Sequence, residues 1–157
     1  MRKVLANTTP LIALANIDRL DLLNKLYGTI FVPQAVMDEI VREPARQRVR
    51  NASWIKVELI QDHSQKDIFR ARLHAGEVEV MILAREQKAD LVIMDDDAAK
   101  KTAKFLGLKV TGTLGVLLKA KREGYLDKVE PVINELIHDG LFVSDTVKRY
   151  VLKEAGE

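Results

Sequence analysis

The chain has 157 residues, with 25 Lys+Arg against 23 Asp+Glu, a formal net charge of +2, and no Cys. That length suits a single domain, residues 1–157, whose core is large enough to need neither disulfides nor structural metal. The lack of Cys excludes zinc–thiolate sites, cysteine nucleophiles and disulfides, and fits a reducing cytoplasm.

Charged residues interrupt every apolar run, so no stretch reads as a signal peptide or as a bilayer span. The expectation is a cytoplasmic protein with no membrane partner. The near-balanced net charge hides two basic groups, one at Arg42, Arg46, Arg48 and Arg50 and one at Lys100, Lys101 and Lys104. Such groups can track phosphates. For either group alone, solvated surface charge is the simpler reading.

Short β-type runs alternate with helical patterns along the chain. Val4-Leu5-Ala6 is the first strand, and Pro10 suits the opening turn of the helix after it. Helical spacing from Asp18 to Leu26 stops at Gly28, Thr29–Val32 is the next strand, and Pro33 opens another helix. Trp54–Ile60 alternates as an edge or half-exposed strand does. A helical pattern runs from about Ser64 to Lys88 with a break near Gly76. Leu91-Val92-Ile93-Met94 reads as a buried parallel strand, followed by a helix from Asp96 to Leu106 that stops at Gly107. Lys109–Thr111 is a short strand, and Thr113 is placed to cap a helix whose buried face carries Leu114, Leu117 and Leu118. A helix over 127–137, a late strand at Leu141–Val143 and a final helix capped by Asp145 complete the pattern. This alternation implies an α/β fold, a parallel sheet with helices on both faces in three layers.

Asp95, Asp96 and Asp97 stand where the buried strand gives way to a helix, the position at which open α/β sheets bind ligands. If the helix begins at Asp96, Asp97 shares a face with Lys101 and belongs to the scaffold. Asp95 is then the leading acid, and Asp96 is either the helix cap or a second inward acid. Upstream, Asp38 and Glu39 flank the apolar stripe Val36, Met37, Ile40 and Val41 on opposite sides, and helical geometry does not choose between them. Glu77 shares a face with Val80, Met81 and Ala84, so its carboxylate needs a partner or a cation; Glu79 falls on the side of Glu86, towards solvent. A plain helix-start acid is an equally good account of Glu77. Clustered carboxylates repel one another and suit a hard cation such as Mg²⁺ or Mn²⁺. One or two such ions can activate water against a phosphodiester without a covalent nucleophile. His63, His74 and His138 have no ligand-like spacing.

Taken in order, Asn7–Ile12, Val32-Pro33 with Val36–Ile40, Gly76-Glu77, Leu91–Asp96 and Gly107–Leu117 make the chain resemble PIN-domain proteins, the fold of many VapC-type toxin ribonucleases. The resemblance spans nearly the whole chain. It implies an acid pocket at the carboxyl ends of a parallel sheet holding Mg²⁺ or Mn²⁺. By position, the first family acid falls on Asn7, the second on Glu39, the third on Glu77 and the fourth on Asp95, with Asp96 as an accessory acid and Thr9 as a supporting hydroxyl. Asn7 departs from the pattern, because an amide carbonyl can coordinate a cation but adds no charge.

The resulting expectation is a metal-dependent endoribonuclease, the toxin of a toxin–antitoxin pair. Glu39, Glu77 and Asp95 would be its catalytic acids, with Asn7 and Asp96 completing the metal shell. Arg46, Arg48, Lys100 and Lys104 would meet the RNA backbone. The resemblance also implies a homodimer and a small antitoxin protein as partner. A PIN-like RNA-binding or regulatory module that does not cleave is the alternative, motivated by Asn7. A receiver or other phosphoryl-transfer domain ranks well below both, since such domains usually place an aspartate where Asn7 stands, and the absence of a Gly-rich loop after the first strand speaks against nucleotide binding of the P-loop or dinucleotide kind.

Overall fold

The computed structural model describes residues 2–69 and 73–157. Its parallel sheet is built from β1 (Val4–Ala6), β2 (Ile30–Val32), β3 (Ile55–Val57), β4 (Leu91–Ile93) and β5 (Val110–Thr111), in the order β3-β2-β1-β4-β5. The chain walks outward from β1 to β3, then returns to the other side of β1 for β4 and β5. Right-handed crossovers therefore place helices on both faces of the sheet. The reversal falls between β1 and β4, where Val4, Leu5 and Ala6 pair with Leu91, Val92 and Ile93. Burial follows this order: β1 is wholly buried, whereas edge strand β3 is half-exposed to exposed, as its alternating sequence predicts.

Each crossover is helical. The helices α1 (Thr8–Asn16) and α2 (Asp21–Tyr27) join β1 to β2, and α3 (Gln34–Glu39) and α4 (Ala45–Asn51) join β2 to β3. A short 3-10 turn, His63–Gln65, leads into α5 (Lys66–Phe69), and α6 (Ala75–Glu86) reaches β4. Part of the helical pattern expected over 64–88 falls on residues 70–72, outside the described residues. Then come α7 (Asp97–Phe105), α8 (Thr113–Arg122), α9 (Glu130–His138) and α10 (Asp145–Glu154). Leu5, Leu11, Leu14, Met81, Ile82, Ile93, Met94 and Leu117 are among the largest side chains withdrawn from solvent, so the core lies on and beside β1 and β4. Among the described residues, no helix is long and apolar enough to cross a membrane.

One helix had no counterpart in the sequence reading, and three local expectations change. The basic stretch after Arg42 contains helix α4, whose Ala45 and Val49 are buried one turn apart; the arginines between them mask that spacing. Leu141–Val143 forms no strand: the Leu141 N–H donates to the Leu136 carbonyl and closes the end of α9, and Phe142 stands out in solvent, 89% exposed. Ser144, not Asp145, caps α10, its hydroxyl oxygen accepting from the Val147 N–H. Gly112, not Thr113, holds the cap position of α8, which leaves the Thr113 hydroxyl for another partner.

The chain after α10 is fastened by Glu157. Its carboxylate accepts from Lys121 Nζ at 2.8 Å and from the N–H groups of Val129 and Glu130, at the start of α9, at 2.7 and 3.1 Å. Lys121 Nζ also donates to the Ala155 carbonyl. These donors, Lys121 first, push the Glu157 carboxyl down to about 2.

Candidate functional site

Asn7 follows β1 and Asp95 lies two residues beyond β4, both at carboxyl ends at the reversal of the sheet, where α/β folds open a ligand crevice. The Asn7 N–H donates to the Ile93 carbonyl at 2.8 Å and extends the β1–β4 ladder to the floor of the site. Asn7 is 4% exposed, and its Oδ1 is buried without a hydrogen-bond partner among the described residues. An orphaned carbonyl oxygen at such a depth costs free energy unless something binds it.

Glu39 ends α3. Its Oε1 accepts from the Gly76 N–H at 2.7 Å and its Oε2 from the Thr8 hydroxyl at 2.7 Å. Only glycine allows this approach, because a Cβ at residue 76 would lie 2.5 Å from Glu39 Oε2. Asp38, the rival acid on that helix, is exposed and accepts from Gln34. The choice left open by helical geometry thus falls to Glu39 as the inward acid.

Glu77, in the first turn of α6, is 6% exposed and accepts from the His74 N–H at 2.9 Å. Burial pushes its carboxyl up; the His74 N–H opposes this, while the nearby negative charges of Asp96 and Glu39 add to the rise. Glu79 does not point to bulk solvent as its helical position suggested. It accepts from the Ala35 N–H in the first turn of α3 and pairs with Lys66 at 3.3 Å, because the open N–H groups of a helix start attract a carboxylate.

Asp95 is half-buried and turned towards α8. Its Oδ1 accepts from the Thr113 N–H at 2.8 Å and its Oδ2 from the Thr113 hydroxyl at 2.6 Å. Gly112 lies against the same carboxylate, since a Cβ there would be 2.8 Å from Asp95 Oδ1 and 3.0 Å from Lys100 Nζ. Asp96 caps α7 by accepting from the Ala99 N–H at 2.9 Å. Of the two roles weighed for Asp96, the structure shows the cap; its side chain is exposed rather than turned inward, and its charge adds to the rise at Glu77.

Asp95, Asp96 and Asp97 line a cavity of about 580 Å³ with Thr9, Lys100, Phe142 and Val147. Asp97, expected to pair with Lys101 on the scaffold, forms no such ion pair among the described residues and faces this cavity instead. Thr9 is exposed at the rim, and it is the neighbouring Thr8 that touches an acid. Lys100 stands at the cavity, with Lys104 exposed one turn further along α7. Arg46 and Arg48 have other partners: Arg46 pairs with Glu43 at 3.7 Å, and Arg48 donates to the Ala15 carbonyl at 2.6 Å. That carbonyl belongs to the far end of α1, about 11 Å along the helix axis from Thr8.

Sequence reasoning missed Thr8, Gly76, Gly112 and Thr113 as site residues. The glycine immediately before Glu77 was an available signal, since a conformationally free residue beside an acid marks close backbone approach; Gly112, far along the chain from Asp95, gave none. The donor set of carboxylates and one orphaned carbonyl fits a hard divalent cation in kind. Among the described residues, no three His, Asp or Glu side chains converge as a ready-made metal cage.

No curated protein and no solved structure matches the chain. A family model described as PIN domain (DUF3368) matches residues 3–157. PIN domains carry a nuclease-type fold, generally use divalent metal ions and typically bind RNA. On a match of that extent, joined to a parallel sheet with its acids at the β1–β4 reversal, the chain belongs to the PIN-domain family.

Proposed function

We propose that residues 1–157 act as one PIN-like domain, an endoribonuclease dependent on Mg²⁺ or Mn²⁺. The observation that carries this reading is Glu77, a buried carboxylate whose protonation is favoured by burial and by the charges of Asp96 and Glu39. Acids held against mutual repulsion, beside the unpartnered carbonyl of Asn7, lower their free energy by taking up a cation. Glu39, Glu77 and Asp95 are the proposed catalytic acids, with Asn7 and Asp96 completing the set of ligands. A bound ion supplies a nucleophile from water at neutral pH and neutralises charge building on the scissile phosphate.

The chain's own groups do the remaining work. Lys100 at the cavity and Lys104 beyond it meet the RNA backbone; Arg46 and Arg48, engaged with Glu43 and Ala15, serve less well. Thr9 at the rim can meet substrate or water. The resemblance supports a toxin acting in the cytoplasm, with a small antitoxin as partner and a homodimer as the assembly.

Asn7 favours a second reading, a PIN-like RNA-binding or regulatory module with too little negative charge to activate water. One experiment separates the two: Mn²⁺-dependent cleavage of a single-stranded RNA panel by wild type, Asp95→Asn and Asn7→Asp. Cleavage that EDTA stops and Asp95→Asn lacks is the expected result. Silence in wild type that persists in Asn7→Asp overturns the nuclease reading and leaves the binding module.

A further inference from the structure

Two of the acids are gripped alike. Glu39 receives a backbone N–H from Gly76 on one oxygen and the Thr8 hydroxyl on the other, at 2.7 Å each. Asp95 receives the Thr113 N–H on one oxygen and the Thr113 hydroxyl on the other, at 2.8 and 2.6 Å. In both cases a glycine backs the carboxylate at a distance no Cβ would permit, Gly76 at Glu39 and Gly112 at Asp95. Among the described residues, Glu77 and Asp96 have a looser hold, a single backbone N–H each, from His74 and Ala99.

We propose that Thr8 and Thr113 are positioning residues that fix the carboxylates of Glu39 and Asp95 in one orientation before any cation or RNA arrives. The inference rests on the proposed metal-dependent nuclease and deepens it. A carboxylate held on both oxygens cannot swing about its last side-chain torsion, so its remaining lone pairs keep a fixed direction. Preorganisation of this kind lowers the ordering cost of binding a cation, and losing a group that orients a metal ligand typically costs about 10- to 100-fold in metal affinity. Glu77 and Asp96, each with one oxygen that accepts no hydrogen bond among the described residues, are left to adjust to the ion.

The competing account is purely structural. Thr113 is fully buried, so its hydroxyl needs a partner, and Asp95 could serve only to pin the start of α8 onto the end of β4. Thr8 separates the accounts, because it is only half-buried and its loss threatens the fold far less.

The test compares wild type with Thr8→Val, Thr8→Ser, Thr113→Val and Thr113→Ser. Mn²⁺ affinity is measured by calorimetry, single-stranded RNA cleavage as kcat and KM, and thermal stability alongside. The valine variants keep shape without the hydroxyl and are expected to lose Mn²⁺ affinity by about 10- to 100-fold, with KM for RNA little changed. The serine variants restore the hydroxyl and should recover most of that affinity. Should Thr113→Val fail to fold, Thr8→Val still decides. Valine variants that bind Mn²⁺ as wild type does, while only their melting temperature falls, overturn the positioning role. A wild type that neither binds Mn²⁺ nor cleaves RNA removes the nuclease reading itself and the positioning role with it; a failure confined to the valine variants leaves that reading intact.

Discussion

At the carboxyl ends of β1 and β4, Glu77 meets the charges of Asp96 and Glu39; beyond α10, Glu157 meets a lysine and two N–H groups at the start of a helix. The same side chain is driven in opposite directions. Burial and like charges push the Glu77 carboxyl up, while Lys121 and the donors at Val129 and Glu130 push Glu157 down to about 2. A carboxylate with its donors complete contributes to stability. One crowded by other acids costs stability, and a fold keeps such a group where a ligand can repay it.

This contrast can be broken experimentally, and the largest expected effect is at Gly76. Gly76→Ala places a Cβ 2.5 Å from Glu39 Oε2, so the Glu39 carboxylate must move away from Gly76. The variant should lose RNA cleavage and most Mn²⁺ binding, with little loss of stability in chemical denaturation, because what must shift is the end of a flexible side chain. At the other region, Lys121→Met removes the main donor to Glu157 and should lower stability by about 1 kcal/mol, or about 2–4 °C in Tm, with Mn²⁺ affinity unchanged.

Smaller effects carry opposite signs. The folded-state carboxyl of Glu77 titrates above its ordinary value, so its stabilising contribution is full below about pH 4.5 and is lost as pH rises through the shifted value. Glu77→Gln should therefore be more stable than metal-free wild type at pH 7, a gain that vanishes in urea titrations near pH 4. For Glu157 the sign reverses: its contribution is present above about 4.5 and fades as pH falls towards 2. Glu157→Gln should be the less stable protein at pH 7, and the deficit should close in acid. If both variants moved the same way at pH 7, the division between a strained and a satisfied carboxylate would fail.

The sheet was legible because β1 and β4 are short apolar runs bounded by turn residues, and such runs have few alternatives once helical spacing surrounds them. Glu77 was legible for a related reason: a carboxylate among Val80, Met81 and Ala84 announces its burial. Helical geometry alone did not single out Glu39, since Asp38 and Glu39 are symmetric about their helix; the family resemblance chose it by position, and in the fold the docking of α6, which brings Gly76 to Glu39, breaks the tie. Thr113 was read as a helix cap because hydroxyl residues commonly cap locally. Its actual partner is Asp95, 18 residues earlier and joined to it only by the pairing of β4 with β5. Phe142 shows the same limit from the other side: Leu141–Val143 has strand composition, but the backbone there is spent on closing α9.

The order of the strands has a consequence for a chain still being synthesised. Asn7 and Thr8 leave the ribosome before Glu39 and Glu77, and Asp95 finds its clamp only when Thr113 emerges. Until then the central strand lacks its β4 neighbour or that neighbour lacks its own, and the acids are scattered along an unfinished sheet. On the proposed nuclease reading, the acids that would act on RNA are brought together last, once Thr113 has emerged to hold Asp95.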